Sequence, residues 1–430
     1  MLQPSGARSR RDFLKLTLVT SAGIAASPVA GLAATKDLRV LHGSSFIKAF
    51  DTHFQRVIAP TYEKVTGVKV IYDLASVGSL QTRVTTASET KAGPDITAIG
   101  FNWAWLYDSS LVDLTDVASE IGKKLGGWHD LVHDAVVING KWKAIPWGNI
   151  GQLEVYRTDW FKEVGVSEFP GTWEELYEVG KKLKAKGHPF GFELGHGFGD
   201  NHGWMYPLLW SYGGREVDKD GKTVLLDSDE TARAVDFCRK FFRDTMVEDC
   251  MAWTDVSNNK AYLGQQVSCT NNASSILEVA IHQFPEIAKV TDHALNPEGP
   301  KGRFHVLNPQ SHAVFAHAKD VAAAKAFLRW VMDDKQYSPW LVAGDAYYAP
   351  FVHAYDNHPM WNPEPRYIPY RESLKTSRLP GWPGPPSQAM SESMAKYVIC
   401  DMFAKAAQGT STKDVIAAAV QQLKQIYKVS

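Results

Sequence analysis

The chain has 430 residues, 44% of them hydrophobic and 22% charged, with 46 Lys and Arg against 47 Asp and Glu. That balance excludes a disordered chain, and no basic stripe of the kind nucleic acid needs stands out. The length favours two domains over one core. Four cysteines, Cys238, Cys250, Cys269 and Cys400, lack metal-ligand spacing. Their pairing is left open, with buried free thiols the simpler expectation.

At the N-terminus, Ser9-Arg10-Arg11-Asp12-Phe13-Leu14-Lys15 precedes a weakly apolar stretch from Leu16 to about Ala30, and small residues follow, Gly31 and Ala33 among them. The stretch is too short and too polar to span hydrocarbon comfortably. Residues 1–33 therefore resemble a twin-arginine export signal. Without them the net charge moves from −1 to about −4.

Strands are expected at 38–41, 68–72 and 95–99, with helices up to Val65 and over 76–91 between them. That alternation implies βαβ units and a parallel sheet. Ligands of such sheets sit at the carboxyl ends of the strands, here 42–46, 73–79 and 101–105. A second unit begins near Pro146. Thr172 and Glu175 have capping-box spacing ahead of a helix whose inner face is Leu176, Val179 and Leu183. A strand at 190–194 leads into Gly195-His196-Gly197-Phe198-Gly199-Asp200, then a helix through Trp204 and Leu208 to Gly213. Further expectations are a helix over 227–245 with Val235, Cys238 and Phe242 inward, strands at 267–270 and 313–315, and helices over 320–332 and 415–427. Residues 355–387, rich in proline and aromatics, read as a long ordered loop. No internal repeat or low-complexity linker is visible, so the two units are expected to interlace.

Several segments carry a family resemblance. They are Tyr62-Glu63-Lys64-Val65-Thr66-Gly67-Val68-Lys69-Val70, then Gly93-Pro94-Asp95-Ile96, then a block from Pro146 through Leu153-Glu154-Val155-Tyr156-Arg157-Thr158-Asp159-Trp160-Phe161 to Thr172-Trp173-Glu174-Glu175-Leu176. Late in the chain, Ala322 to Val331 is followed by Gly344 and Pro350. In this order they resemble the extracellular solute-binding proteins of sugar-type ABC importers, the family that includes maltose-binding protein. The resemblance implies a two-lobed α/β fold of the periplasmic binding protein type II kind, with a hinge near Trp147 and Ser311 and a central cleft. Residues 34–147 and 308–350 would form one lobe, and 148–307 and 351–430 the other.

It also implies a monomer that captures a solute by closing, with no turnover and no cofactor. The expected partners are the solute, an ABC permease in the inner membrane and the twin-arginine export machinery. No cysteine follows the signal, so no lipid anchor is expected, which favours a Gram-negative periplasm. Two segments depart from the family. Asn308-Pro309-Gln310-Ser311-His312 stands where members often have a Gly-Gly pair, and Asn271-Asn272-Ala273-Ser274 where a loop glycine is often followed by Ala-Met. Both would line the cleft, so no relative's substrate is carried over.

Sugars present flat C–H faces and rims of hydroxyls, so their sites combine aromatic rings with Asn, Asp, Gln and His. The strand-end loops offer His42, Ser45, Asn102 and Trp103 from the first lobe, and Trp147 and Asn149 from the junction. The second lobe offers His196, Asp200, Asn201, Trp204, Asn271 and Asn272. Late loops add Tyr347, Tyr348 and Trp382. For Trp204, packing beneath its own helix competes with stacking on a solute.

Other chemistries have less support in the sequence. The glycines at 195, 197 and 199 lack dinucleotide-loop spacing. His129 and His133, at i and i+4, read as a solvated helix face rather than a metal site. An exported glycoside hydrolase could draw on Asp95, Glu193 and Asp200. A polyol, a glycerol phosphodiester or an aromatic compound could replace the carbohydrate. The phosphodiester needs a basic anchor, for which Arg83, Arg215 and Arg303 are the candidates.

Overall fold

A computed structural model describes residues 37–345 and 347–429. The expected export signal at 1–33 lies outside them. Among the described residues no helix is long and apolar enough to cross a membrane.

The first sheet has five strands. Asp37–Gly43 lies between Lys69–Ala75 and Ile96–Gly100, parallel to both. Pro309–Val314 then runs antiparallel to Ile96–Gly100 and to the edge strand Ile145–Asn149. Every residue of Ile96–Gly100 is buried, as in a strand covered by helices on both faces. The helices Ala59–Thr66 and Val77–Thr90 make the expected crossovers. Gly67, at φ 76°, closes the first of them in left-handed backbone, a conformation that glycine adopts without a Cβ penalty.

The second sheet has three strands. Leu153–Arg157 is the centre, flanked antiparallel by Cys269–Asn272 and Thr291–Ala294. Around it pack Trp173–Ala185, Asp200–Tyr212 and Asp229–Thr245, and the C-terminal helices Val398–Ala407 and Thr412–Tyr427 pack on these in turn. The Thr172–Glu175 capping box forms in full. Asp200–Tyr212 is buried at all 13 positions. A helix with no polar face is the middle of a core, and this one is the axis of the second half of the molecule.

The chain leaves the first sheet at Asn149, enters the second at Leu153 and returns at Pro309. These crossing segments are tied together. Asn149 N donates to Ala349 O at 2.7 Å, Ala349 N returns to Asn149 O at 2.9 Å, and Ile150 N donates to Asn308 O at 3.1 Å.

Several expectations need correction. No strand forms at 190–194. Phe190 N donates to Thr245 O, Gly191 N to Cys269 O and Leu194 N to Cys250 O; the segment is extended, but three different neighbours take its bonds and no ladder develops. The strand expected at 267–270 lies at Cys269–Asn272, so Asn271 and Asn272 are inside it. In Asp229–Thr245 the third inward residue is Phe241, fully buried, and Phe242 is only half-buried. Residues 353–376 are a run of short helical turns rather than a plain loop. All four cysteines are free and buried.

Candidate functional site

A cleft of about 570 Å³, its open mouth included, lies between the two sheets. From the first sheet come His42 to Phe46, at the carboxyl end of the first strand, and Val77 and Leu80 at the start of the next helix. The opposite wall is Phe198, Gly199, Asp200 and Asp255. The crossing segments form the floor with Trp147, Gln152, Asn308 and Gln310, and Tyr347 and Tyr348 close one side. The place is the strand-end crevice where open α/β sheets hold ligands.

Of the sequence-selected residues, the structure brings together six here: His42, Ser45, Trp147, Asp200, Tyr347 and Tyr348. Tyr348 Oη donates to Ser45 Oγ at 2.9 Å, and Ser45 N to Asp51 Oδ2 at 2.8 Å. His42 Nδ1 lies 2.9 Å from Gly43 O, so that nitrogen carries the proton. Nε2 is then a buried acceptor with no partner. Burial holds the imidazole neutral, its pKa lowered to about 4. Trp147 Nε1 and Gln152 Oε1 are likewise buried without partners. Burial also pushes the Asp51 carboxyl up to about 6.

Nine others lie elsewhere. Trp204 is 0% exposed, packs on Phe192 at 5.5 Å between ring centroids, and donates Nε1 to Glu193 O at 2.7 Å. It belongs to the core. Asn201 Nδ2 donates to Gly195 O at 2.7 Å in the preceding loop. Asn271 faces Glu154 and Asn296, and Asn272 faces Asp200 and Asn259, because both belong to a strand packed under the central helix. His196 stacks on Tyr397 at 4.3 Å and bonds Asp401. Asn149 Oδ1 accepts from Asn308 N within the crossing segments. Trp382 lines a second pocket, with Trp210, Phe304 and Lys301.

Asn102 and Trp103 are turned away from the cleft by Phe101, whose φ is 48°. A left-handed bulky residue is a strained position of the kind found at functional sites. The turn points Trp103 at Phe198, which crosses from the opposite wall. Its ring sits 5.4 Å from Phe101 and 5.2 Å from Trp103. Asn102 O accepts from Ser391 Oγ at 2.9 Å.

Sequence reasoning missed Gln152, Phe198 and Asp255 as wall residues. Gln152 had a signal, a lone amide between the apolar runs of two strands. Asp255 accepts Phe198 N at 2.5 Å, Gly199 N at 2.8 Å and Asp200 N at 3.2 Å. It thereby closes the amino end of the Asp200–Tyr212 helix from 55 residues away, beyond any local pattern.

Among the described residues, no Lys or Arg lines the cleft. Arg83 and Arg215 are exposed, Arg215 at the second pocket, and Arg303 pairs with Glu298 at 3.2 Å. Asp95 accepts Arg39 N and Lys319 N, both at 2.8 Å, so it holds loops rather than facing the cleft. His129 bonds Asp356 at 2.7 Å, and His133 lies 3.9 Å from Asp130.

A profile of the family described as bacterial extracellular solute-binding protein matches residues 44–337. The chain is 26% identical over 297 residues to the diacetylchitobiose-binding protein DasA of Streptomyces coelicolor, covering 66% of each chain. It is 22% identical over 283 residues to a putative binding protein of Brucella abortus, covering 62% of this chain and 65% of that one. It thus spans 66% and 65% of the length of these relatives. Among solved structures, it superposes with a TM-score of 0.80 at 16% identity on an ABC-transporter solute-binding protein of Thermotoga lettingae bound with α-D-tagatose, covering 91% of this chain and 100% of the other. For maltose-bound MalE3 of T. maritima the TM-score is 0.78 at 20% identity, covering 91% and 99%. At such identities the likeness establishes the fold alone: two α/β lobes about a central cleft.

Proposed function

Because the chain belongs to the bacterial extracellular solute-binding proteins, we propose that it is the solute-capturing component of an ABC importer, and that its solute is a neutral polyhydroxylated molecule, foremost a carbohydrate. The family binds solutes rather than transforming them, so the hydrolase weighed above is set aside. One observation carries the choice of solute. The cleft combines aromatic rings, Trp147, Tyr347, Tyr348 and Phe198, with buried polar atoms that lack partners, His42 Nε2 and Trp147 Nε1. Buried polar atoms are ordinarily satisfied, and hydroxyl groups both donate and accept. None of the described lining residues is basic, which disfavours the phosphodiester. The binding of diacetylchitobiose by one relative, and of tagatose and maltose by two structural neighbours, supports the same choice.

In this reading the lobes are 34–147 with 308–350 and 148–307 with 351–430, and they rotate about the bonded segments at Asn149, Asn308 and Ala349. Solute drives closure by binding the closed form better than the open one. The closed monomer then docks on a permease. Residues 1–33 direct it to a periplasm by the twin-arginine route. Thermal melting with mono- and oligosaccharides, polyols and glycerol phosphodiesters tests the solute, since a ligand of the native state alone raises the melting temperature. A saccharide or polyol is expected to do so and a phosphodiester not; the reverse result refutes the proposal. Arg10 and Arg11 replaced by Lys should strand the precursor in the cytoplasm, and undiminished export would refute the route.

A further inference from the structure

Behind the cleft wall three carboxylates converge. Glu193, Asp200 and Asp255 bring oxygens within 4.8 Å of one another. The nearest charges that Glu193 feels are those of the two aspartates, with no cation among them. Glu193 is 1% exposed and does not line the cleft, and apart from the backbone of Gly197 no hydrogen-bond donor meets its carboxyl group. Beside it, Gln152 is 4% exposed. Its Nε2 donates to Asp200 Oδ1 at 3.0 Å, which leaves Oε1 in the same neighbourhood with no partner.

The two aspartates are each fixed by three donors. Asp200 accepts side-chain amides from Gln152, Asn258 and Asn272. Asp255 accepts the three backbone N–H groups at the head of the central helix. Glu193 is therefore sealed against two other carboxyl groups, in a position that does not line the cleft. The loop is built closely around it. A Cβ on Gly197 would stand 2.2 Å from Glu193 Oε1, so only glycine fits there. Either a proton or a positive ion has to relieve this cluster.

We propose that Glu193, Asp200 and Asp255, with Gln152 Oε1, hold a divalent cation of the calcium type. Every donor is an oxygen, which selects a hard cation over zinc or copper. Carboxylates from a loop, a helix start and an extended segment suit calcium, which takes six to eight oxygens at about 2.3–2.6 Å in flexible geometry. Magnesium demands a near-ideal octahedron at about 2.0–2.1 Å and keeps several waters, a poorer match for a sealed glutamate. The ion would lock Asp255, and through it the backbone of Phe198 to Asp200, so the cleft wall would be set by calcium. Gln152, Asp200 and Asp255 also border the cleft, so the ion would sit directly beside the solute.

The test uses the mature protein, freed of metal with EDTA and titrated with calcium chloride by calorimetry and thermal melting, with magnesium chloride in parallel. One calcium ion per chain is expected, together with a rise in melting temperature that magnesium at the same concentration does not match. Glu193→Gln has the shape of the protonated acid and should fold, with calcium affinity at least about tenfold weaker. Asp255→Asn, on a half-buried residue, should weaken it likewise. A folded wild-type protein with no response to millimolar calcium overturns the proposal, and leaves a proton on Glu193 as the relief. Equal calcium affinity in Glu193→Gln also overturns it, by placing the ion elsewhere.

Discussion

Replacing Trp204 with alanine separates packing from recognition. The ring is fully buried among Phe192 and Phe241, inside a helix with no exposed position. Truncating a core tryptophan costs about 3–5 kcal/mol through lost transfer energy and the cavity left behind. The lost Nε1–H also strips Glu193 O of its donor at 2.7 Å, which adds about 1 kcal/mol or more for an unsatisfied buried carbonyl. The sum is about 4–6 kcal/mol, a large share of the stability of an ordinary domain. Trp204→Phe keeps most of the ring and should lose about half as much. Urea unfolding followed by circular dichroism reads this as a lower midpoint at unchanged slope. Calorimetry with a solute found by melting should give near-normal affinity in the phenylalanine variant. An alanine variant with the wild-type midpoint and a tenfold loss of affinity would refute the core placement.

Glu216 is buried beside Tyr427 Oη at 3.0 Å, and burial pushes its carboxyl up to about 7. The unfolded chain releases this proton near pH 4.5, so stability falls as pH rises from there to about 7, by about 3 kcal/mol in all. Glu216→Gln should therefore melt above the wild type at about pH 8 and match it near pH 4; a pH-independent difference would refute the assignment. Gly100→Ala puts a Cβ 2.8 Å from Phe198 Cζ and 3.3 Å from Gln310 Nε2. It should hinder closure and weaken solute binding about tenfold while leaving the unliganded fold intact, and unchanged affinity would separate Phe198 from the closing motion. Thr172→Ala removes the side chain that accepts Glu175 N at 3.2 Å and should cost about 1 kcal/mol in urea unfolding; no loss would mean the cap is redundant.

The local signals that survived folding share one property: they depend on near neighbours in sequence. The capping box at Thr172 spans four residues, and the first three strands alternate with helices that cover them. What failed depends on distant partners. Asn271 and Asn272 look like loop residues, yet Leu153 and Glu154 pair with them across the second sheet. The stretch at 190–194 has strand composition, but its three carbonyl partners come from separate segments. Trp204 was legible in retrospect. From Trp204 to Trp210 the residues are apolar all round rather than along one stripe, and that pattern marks a core helix instead of a cleft rim. The wall around Asp200 was the least legible part, because Gln152 and Asp255 reach the head of the central helix from segments distant in sequence.

Phe198 reaches across the cleft into the aromatic turn at Phe101 and Trp103, and so acts as a permanent surrogate guest. Withdrawing a partly buried phenyl ring into water costs roughly 1–2 kcal/mol, whether or not a solute is present. That contact ties the two walls of the cleft at a single ring, so any parting of the walls has to expose Phe198, Phe101 and Trp103 together.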